Sequence, residues 1–248
     1  MRNIILAPLL FVSLLALGGC SIGDSSSPSR FYVLTPMPEG SEAVSFEGEP
    51  PSVGLTRVQI PSTLDRPQMV IYTAPNEVKY NEFNRWSEPL SQGIGETIRR
   101  NLLVLMGPGK VSAFPWMQTF PRDYNVQVIV QEFGAYTYRN EVVLRAVYRI
   151  ERLDGGDRET VAVSEVTYTQ PIAGNTQNFD DIVKAESQTL IRLSRDIASE
   201  IKKLDSQAEG SGDDGKSKED SATMPGKDDT ADAGKGMLKS HYRTISTE

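Results

Sequence analysis

The side chains with the widest chemical range are the scarcest here: the chain of 248 residues has one cysteine, Cys20, and one histidine, His241. A nucleophilic triad needs a histidine held by rigid neighbours beside a serine or cysteine. His241 lies in a polar stretch rich in glycine and serine, with nothing to orient it. A zinc site needs several Cys or His ligands, which the chain does not supply, so neither metal nor cofactor is expected. Gly107-Pro108-Gly109-Lys110 invites comparison with a phosphate loop, but that pattern requires glycine where Val104 stands, and the segment reads as a turn ending a helix. Adjacent helical residues point about 100° apart. Asp180 and Asp181 therefore suit the positive end of a helix better than shared acid–base work. The expectation is a protein that binds or builds and is not an enzyme.

Cys20 is the exception, because its chemistry is set by what precedes it. One positive charge at Arg2, an apolar run over 4–17 and then Gly18-Gly19-Cys20 give the three regions of a secretory signal. That run is shorter than the roughly 20 residues a membrane-spanning helix needs, so residues 1–19 are expected to be cleaved as a signal peptide. Leu17-Gly18-Gly19-Cys20 resembles the lipobox of bacterial lipoprotein precursors, which makes Cys20 the first mature residue and its sulfur and amine the sites of S-diacylglycerol and N-acyl attachment. An ordinary signal followed by an incidental cysteine is the alternative. A lone thiol cannot form an internal disulfide in an oxidising compartment, and acylation accounts for its presence. Two or more acyl chains anchor stably where one does not. Ser21 follows; enterobacterial lipoproteins kept at the inner membrane usually carry aspartate there, so that resemblance implies the periplasmic face of the outer membrane.

The formal charge is −7, and losing Arg2 makes it one unit more negative. Nucleic acid needs a basic footprint, so it is excluded as a partner. Electrostatic adhesion to anionic lipid is disfavoured too, which leaves the acyl chains as the membrane attachment.

The elements follow from periodicity. Residues 20–29 are the lipidated cysteine and a short polar tether. Residues 31–35, 53–60 and 69–72 read as strands. Ser87 has the character of a helix N-cap, with Pro89 in the first turn. Leu90, Ile94, Ile98, Leu102 and Leu105 then recur at helical spacing up to Gly107-Pro108. Val126, Val128 and Val130, then Val142, Leu144, Ala146, Tyr148 and Ile150, then Ala162, Ser164, Val166 and Tyr168 alternate with polar neighbours, and the joins at 138–140 and 154–157 are turn-like. Three antiparallel strands are the economical reading. A second helix is expected over 179–204, with Ile182, Leu190, Leu193, Ile197, Ile201 and Leu204 as its buried stripe. Residues 205–248, with ten acidic and six basic side chains and five large apolar ones, read as a disordered acidic tail. The order of elements predicts one domain over 30–204, an α+β fold in which two helices pack on one face of a mixed, largely antiparallel sheet.

Three segments carry a family resemblance. Residues 53–61, then Leu64-Asp65-Arg66-Pro67-Gln68, then Arg85-Trp86-Ser87-Glu88-Pro89-Leu90 resemble the PqiC family of ABC-type transport auxiliary lipoproteins, with Phe31-Tyr32-Val33-Leu34 and Pro115-Trp116 falling where that family has similar residues. The resemblance implies a fold like the N-terminal domain of TolB. It further implies a lipoprotein working beside a periplasmic MCE-domain protein and its inner-membrane partner, which carry lipid between membranes, and assembly into a homo-oligomeric ring. Asp65, Arg66, Gln68, Arg85, Trp86 and Glu88 are then the partner-binding candidates. Each also has a purely structural reading: Trp86 as core filler, Pro89 as helix start, Pro67 as turn, and an Asp or Glu to Arg pair as the clasp of a loop. The competing function is a structural or assembly adaptor associated with peptidoglycan.

Overall fold

Alternating apolar residues build the centre of the molecule, whose computed structural model describes residues 28–212 and 243–246. The strands are β1 (Arg30–Tyr32), β2 (Val53–Leu55), β3 (Gln68–Ala74), β4 (Glu77–Trp86), β5 (Val111–Ala113), β6 (Tyr124–Tyr136), β7 (Glu141–Asp154), β8 (Asp157–Pro171) and β9 (Arg243–Ser246). The helices are α1 (Leu90–Met106), between β4 and β5, and α2 (Phe179–Gly212), after β8. In β6–β7 the register pairs Val126 with Ile150, Val128 with Tyr148 and Val130 with Ala146, and all six side chains are buried. β7 pairs antiparallel with β8 in the same way, Leu144 opposite Tyr168 and Ala146 opposite Val166. The joins are as tight as expected: Asn140 takes φ 58° in the first, and Gly155 and Gly156 take φ 56° and 104° in the second, where side chains would be strained.

β6 is the axis of the sheet, because its far edge is shared. Its first residues pair parallel with β2 and its last with β3, so the order runs β1-β4-β3-β6-β7-β8-β9, with β2 and β5 branching from the start of β6. Of the strand expected over 53–60, only Val53–Leu55 is regular; beyond it the chain keeps to β6 through Thr56 N–H on Val126 O at 2.9 Å and a bridge from Gln59 to Ile129. β4 was not expected from the sequence. Its residues are exposed on both faces as far as Tyr80, which erases the alternation that marks a half-buried strand.

Both helices lie against this sheet, giving the α+β fold that the element order predicts. The whole predicted stripe of α1 is buried, with Ile94, Ile98 and Leu102 fully so. Its start corrects the sequence reading. Pro89 occupies the N-cap position and its carbonyl accepts from Gln92 and Gly93, while Ser87 spends its N–H on Tyr32 O at 3.0 Å. The helix ends at Gly107, φ 104°, whose N–H closes on Leu103 O. α2 is capped by Asn178, whose Oδ1 accepts from Asp180 N at 3.1 Å, and Asp180 and Asp181 do stand in its first turn.

Two stretches of the expected disordered tail are ordered instead. α2 continues to Gly212, past Leu204, through Gln207, Ala208 and Glu209, all good helix formers. Residues Arg243–Ser246 pair parallel with Ser164 to Thr167 of β8, which as an edge strand offers free backbone donors and acceptors. The rest of the tail, the signal segment over 1–19, Cys20 and Ser21 lie outside the described residues.

Candidate functional site

The two motif segments meet where β3 begins and β4 ends. Gln68 and Arg85 are register partners, and Trp86 N–H donates to Pro67 O at 2.8 Å. Leu64 and Leu90 are buried and root both segments in the core. Trp86 is buried opposite its β1 partner Tyr32, so its indole fills the core and is not presented at the surface. The other candidates stay outside. Arg85 donates from Nε to Glu82 O at 2.9 Å, with its guanidinium 3.6 Å from the Glu82 carboxylate; the Gln68 amide reaches the same carboxylate at 3.5 Å. Arg66 donates to Thr63 O at 3.0 Å and lies 3.9 Å above the Tyr80 ring, a cation–π contact. Asp65 is exposed. Glu88 is exposed and leans over Gly93 in the first turn of α1, where a methyl group would come within 3.6 Å of its Oε1. Neither motif carboxylate clasps a motif arginine; the pair that forms is Arg85 with Glu82, inside β4.

A bulge shapes this surface. The register jumps from Gln68–Arg85 to Met69–Asn81, leaving residues 82–84 without partners in β3. Asn81 Oδ1 holds the loop by accepting from Phe83 N, Asn84 N and Asn84 Nδ2 at 3.2, 2.9 and 2.8 Å. Phe83 is thereby exposed, and so are Phe31, the register partner of Arg85, and Val33. Apolar rings beside Arg66, Arg85 and Gln68 form a mixed patch along the β1 edge, suited to protein contact. Phe83 was missed in the sequence because only the bulge turns it outward, and Phe31, noted there only within the family resemblance, lies on a three-residue strand whose outward face nothing marks.

Two further aromatic groups stand elsewhere. The Tyr72 and Tyr136 rings stack at 4.4 Å, and Arg139 lies 4.4 Å above Tyr136 and 5.5 Å from Tyr138. The Tyr136 hydroxyl donates to Glu132, and burial together with that bond pushes its ionisation well above the usual phenol range. In the loop after β5, Phe114 and Trp116 meet edge to face at 5.4 Å, Arg122 covers Trp116 at 4.3 Å, and Met117 is 74% exposed. Among the described residues, no group of three or more His, Cys, Asp or Glu side chains is placed to hold a metal ion, and no helix is long and apolar enough to cross a membrane.

Residues 32–198 match the model of the ABC-type transport auxiliary lipoprotein component family. The chain belongs to this family. Its match as an ABC-type transport auxiliary lipoprotein takes in both motifs, the bulge, α1 and α2 as far as Ala198, and the family makes it a membrane-anchored protein of the cell envelope that serves a transporter. No curated protein matches the chain. Among solved structures, one described only as an uncharacterized protein is 18% identical with a TM-score of 0.55, covering 71% of this chain and 99% of its own. Protein XCC0632 from Xanthomonas campestris, of the DUF330 family, is 15% identical with a TM-score of 0.54, covering 72% and 99%. At such identities the likeness is one of fold.

Proposed function

We propose that this auxiliary lipoprotein is the outer-membrane component of an MCE-type intermembrane lipid transport system, holding the outer end of the periplasmic MCE tube. The acyl chains on Cys20 supply the anchor, and Ser21 in place of aspartate favours the outer membrane. One observation supports the docking role above others: the Leu64 to Gln68 and Arg85 to Leu90 segments, at the open end of the β3–β4 hairpin, meet on one exposed edge with Phe31 and Phe83. Arg66, Gln68 and Arg85, with Asp65 and Glu88 beside them, are the polar contacts of that surface, and Trp86 supports it from the core. A homo-oligomeric ring would repeat the patch around the mouth of a tube.

The test is purification of the tagged protein from gently crosslinked envelopes, followed by mass spectrometry, with Cys20→Ala as control. Enrichment of an MCE-domain protein only with the anchored form is the expected result. Recovery of peptidoglycan or assembly factors alone would replace the proposal with the adaptor role.

A further inference from the structure

Two contacts locate the point where the tether enters the domain. Arg30, the first residue of β1, pairs with Asp180 in the first turn of α2 at 3.2 Å, and the Tyr32 ring lies 6.0 Å from that of Phe179. The β6–β7 turn is tied to the segment leading into α2, since Ile172 N donates to Asn140 O at 3.0 Å. The β3–β4 turn lies beside it, because Tyr72 is the register partner of Tyr136 and accepts from Thr137 N at 3.0 Å. Both hairpin turns therefore share one end, and because β1 runs parallel to β4, away from those turns, with Arg30 beside Asn84, the chain upstream of Arg30 leads back toward that end. The aromatic loop at 114–117 belongs to the other: Arg122, which covers Trp116, lines a small cavity of about 320 Å³ with the β7–β8 turn, and Leu153 N donates to Asp123 O at 2.8 Å, one residue before β6 begins. The 13 residues of β6 separate the two ends by about 40 Å.

The entry end carries the chemistry of a headgroup layer. Tyr138 is 42% exposed with its ring 6.0 Å from that of Tyr136, Tyr72 stacks on Tyr136, the exposed Val78 is the register partner of Tyr72, and Arg139 lies against two of the rings. Tyrosine has an apolar body and a polar tip, which is why it concentrates where hydrocarbon meets water. The ten residues 20–29 reach at most about 36 Å when fully extended, enough to let this end touch the bilayer while the far end stands about 40 Å beyond it.

We propose that the entry end seats on the phospholipid headgroup layer, with Tyr138 and Val78 entering it, and that the 114–117 loop faces away from the membrane. The inference rests on the reading of Cys20 as the acylated anchor. Its test uses the full-length acylated protein in vesicles of phosphatidylethanolamine and phosphatidylglycerol. Cys20 is the only cysteine and is blocked by acylation, so Tyr138→Cys and Met117→Cys each offer one thiol for an environment-sensitive fluorophore. The label at 138 should shift to the blue in vesicles and be quenched by brominated lipid, and the label at 117 should do neither. A dry label at 117, or a wet one at 138, overturns the proposal. Because labelling removes the tyrosine, the unlabelled protein gives a second measurement: amide exchange at 137–140 should slow several-fold in vesicles relative to detergent, and unchanged exchange also overturns the seating. The mass of the N-terminal peptide separates the two levels of failure. Without acyl mass the anchor itself is refuted and the seating falls with it; with acyl mass and a wet Tyr138 position, only the seating is refuted.

Discussion

Asn101 of α1 donates its side-chain amide to Ser194 Oγ of α2 at 3.1 Å, with both residues fully buried. The same side chain accepts from Met37 N at 2.7 Å, and the Ser194 hydroxyl donates in turn to Leu190 O at 2.7 Å. One amide thus joins two helices and the strand-like segment that crosses them. Asn101→Ala strands the Met37 N–H and leaves a void, which should cost about 2–4 kcal/mol. Ser194→Ala removes only one acceptor and should cost about 1 kcal/mol. Urea unfolding of both variants checks the ranking, and equal losses would contradict the bridging role.

Docking and folding can be separated within a single motif. Trp86 is buried, so Trp86→Ala should destabilise the domain by about 3–5 kcal/mol. Arg66→Ala and Arg85→Ala remove partly exposed side chains and should change stability by under about 1 kcal/mol. If the edge docks a partner, the two arginine variants lose most of the crosslinked MCE protein while their melting curves stay near that of the parent. Full recovery of the partner with both would move the docking surface elsewhere.

Glu186 gives stability a pH dependence. It is 2% exposed in the buried face of α2, its Oε2 has no hydrogen-bond partner, and burial pushes its carboxyl up to about 8 from an ordinary 4.5. Between those values the folded state holds the proton and the unfolded state does not, so stability contributed at low pH is lost as pH rises through the window and levels off above 8. Glu186→Gln should flatten that decline, leaving the variant more stable than the parent by about 2–4 kcal/mol at pH 8 and no more stable at pH 4. Denaturation midpoints across this range would show parallel curves if the carboxyl titrates normally.

The anchor is tested by fractionation. Cys20→Ala should move the protein from the membrane pellet to the soluble envelope fraction, with an unchanged circular dichroism spectrum, since the described fold begins beyond the tether. Continued sedimentation with outer membrane would point to attachment through protein contacts alone.

The features legible in the sequence are those in which one periodicity governs many residues. The five-residue stripe of α1 and the alternation of Val126 to Val130 and Val142 to Ile150 each reflect a single buried face, and each stands as expected. Asn101 and Glu186 escaped notice because polar residues within an apolar stripe register as breaks in the pattern, while their burial depends on what packs across from them. β4 was hidden for the opposite reason, having little buried face to reveal it. At the candidate site, the motif residues were legible but their division was not: only the β1–β4 register shows that Trp86 turns inward while Arg85 and Phe31 remain outside.

The path of residues 30–37 also has a mechanical meaning. The chain pairs with β4 as β1, then gives Thr35 N to Ser187 Oγ at 3.0 Å and Met37 N to Asn101 Oδ1, so its backbone is fastened in turn to the sheet, to α2 and to α1. β1 runs parallel to β4, so a pull applied from the tether along the strand loads their hydrogen bonds in shear, together, and does not unzip them one by one. Tension between a bilayer and a bound partner would spread into the core through three fasteners. An optical-trap experiment pulling from residue 28 should accordingly find a higher rupture force for the parent than for Asn101→Ala, in which the last of those fasteners is gone.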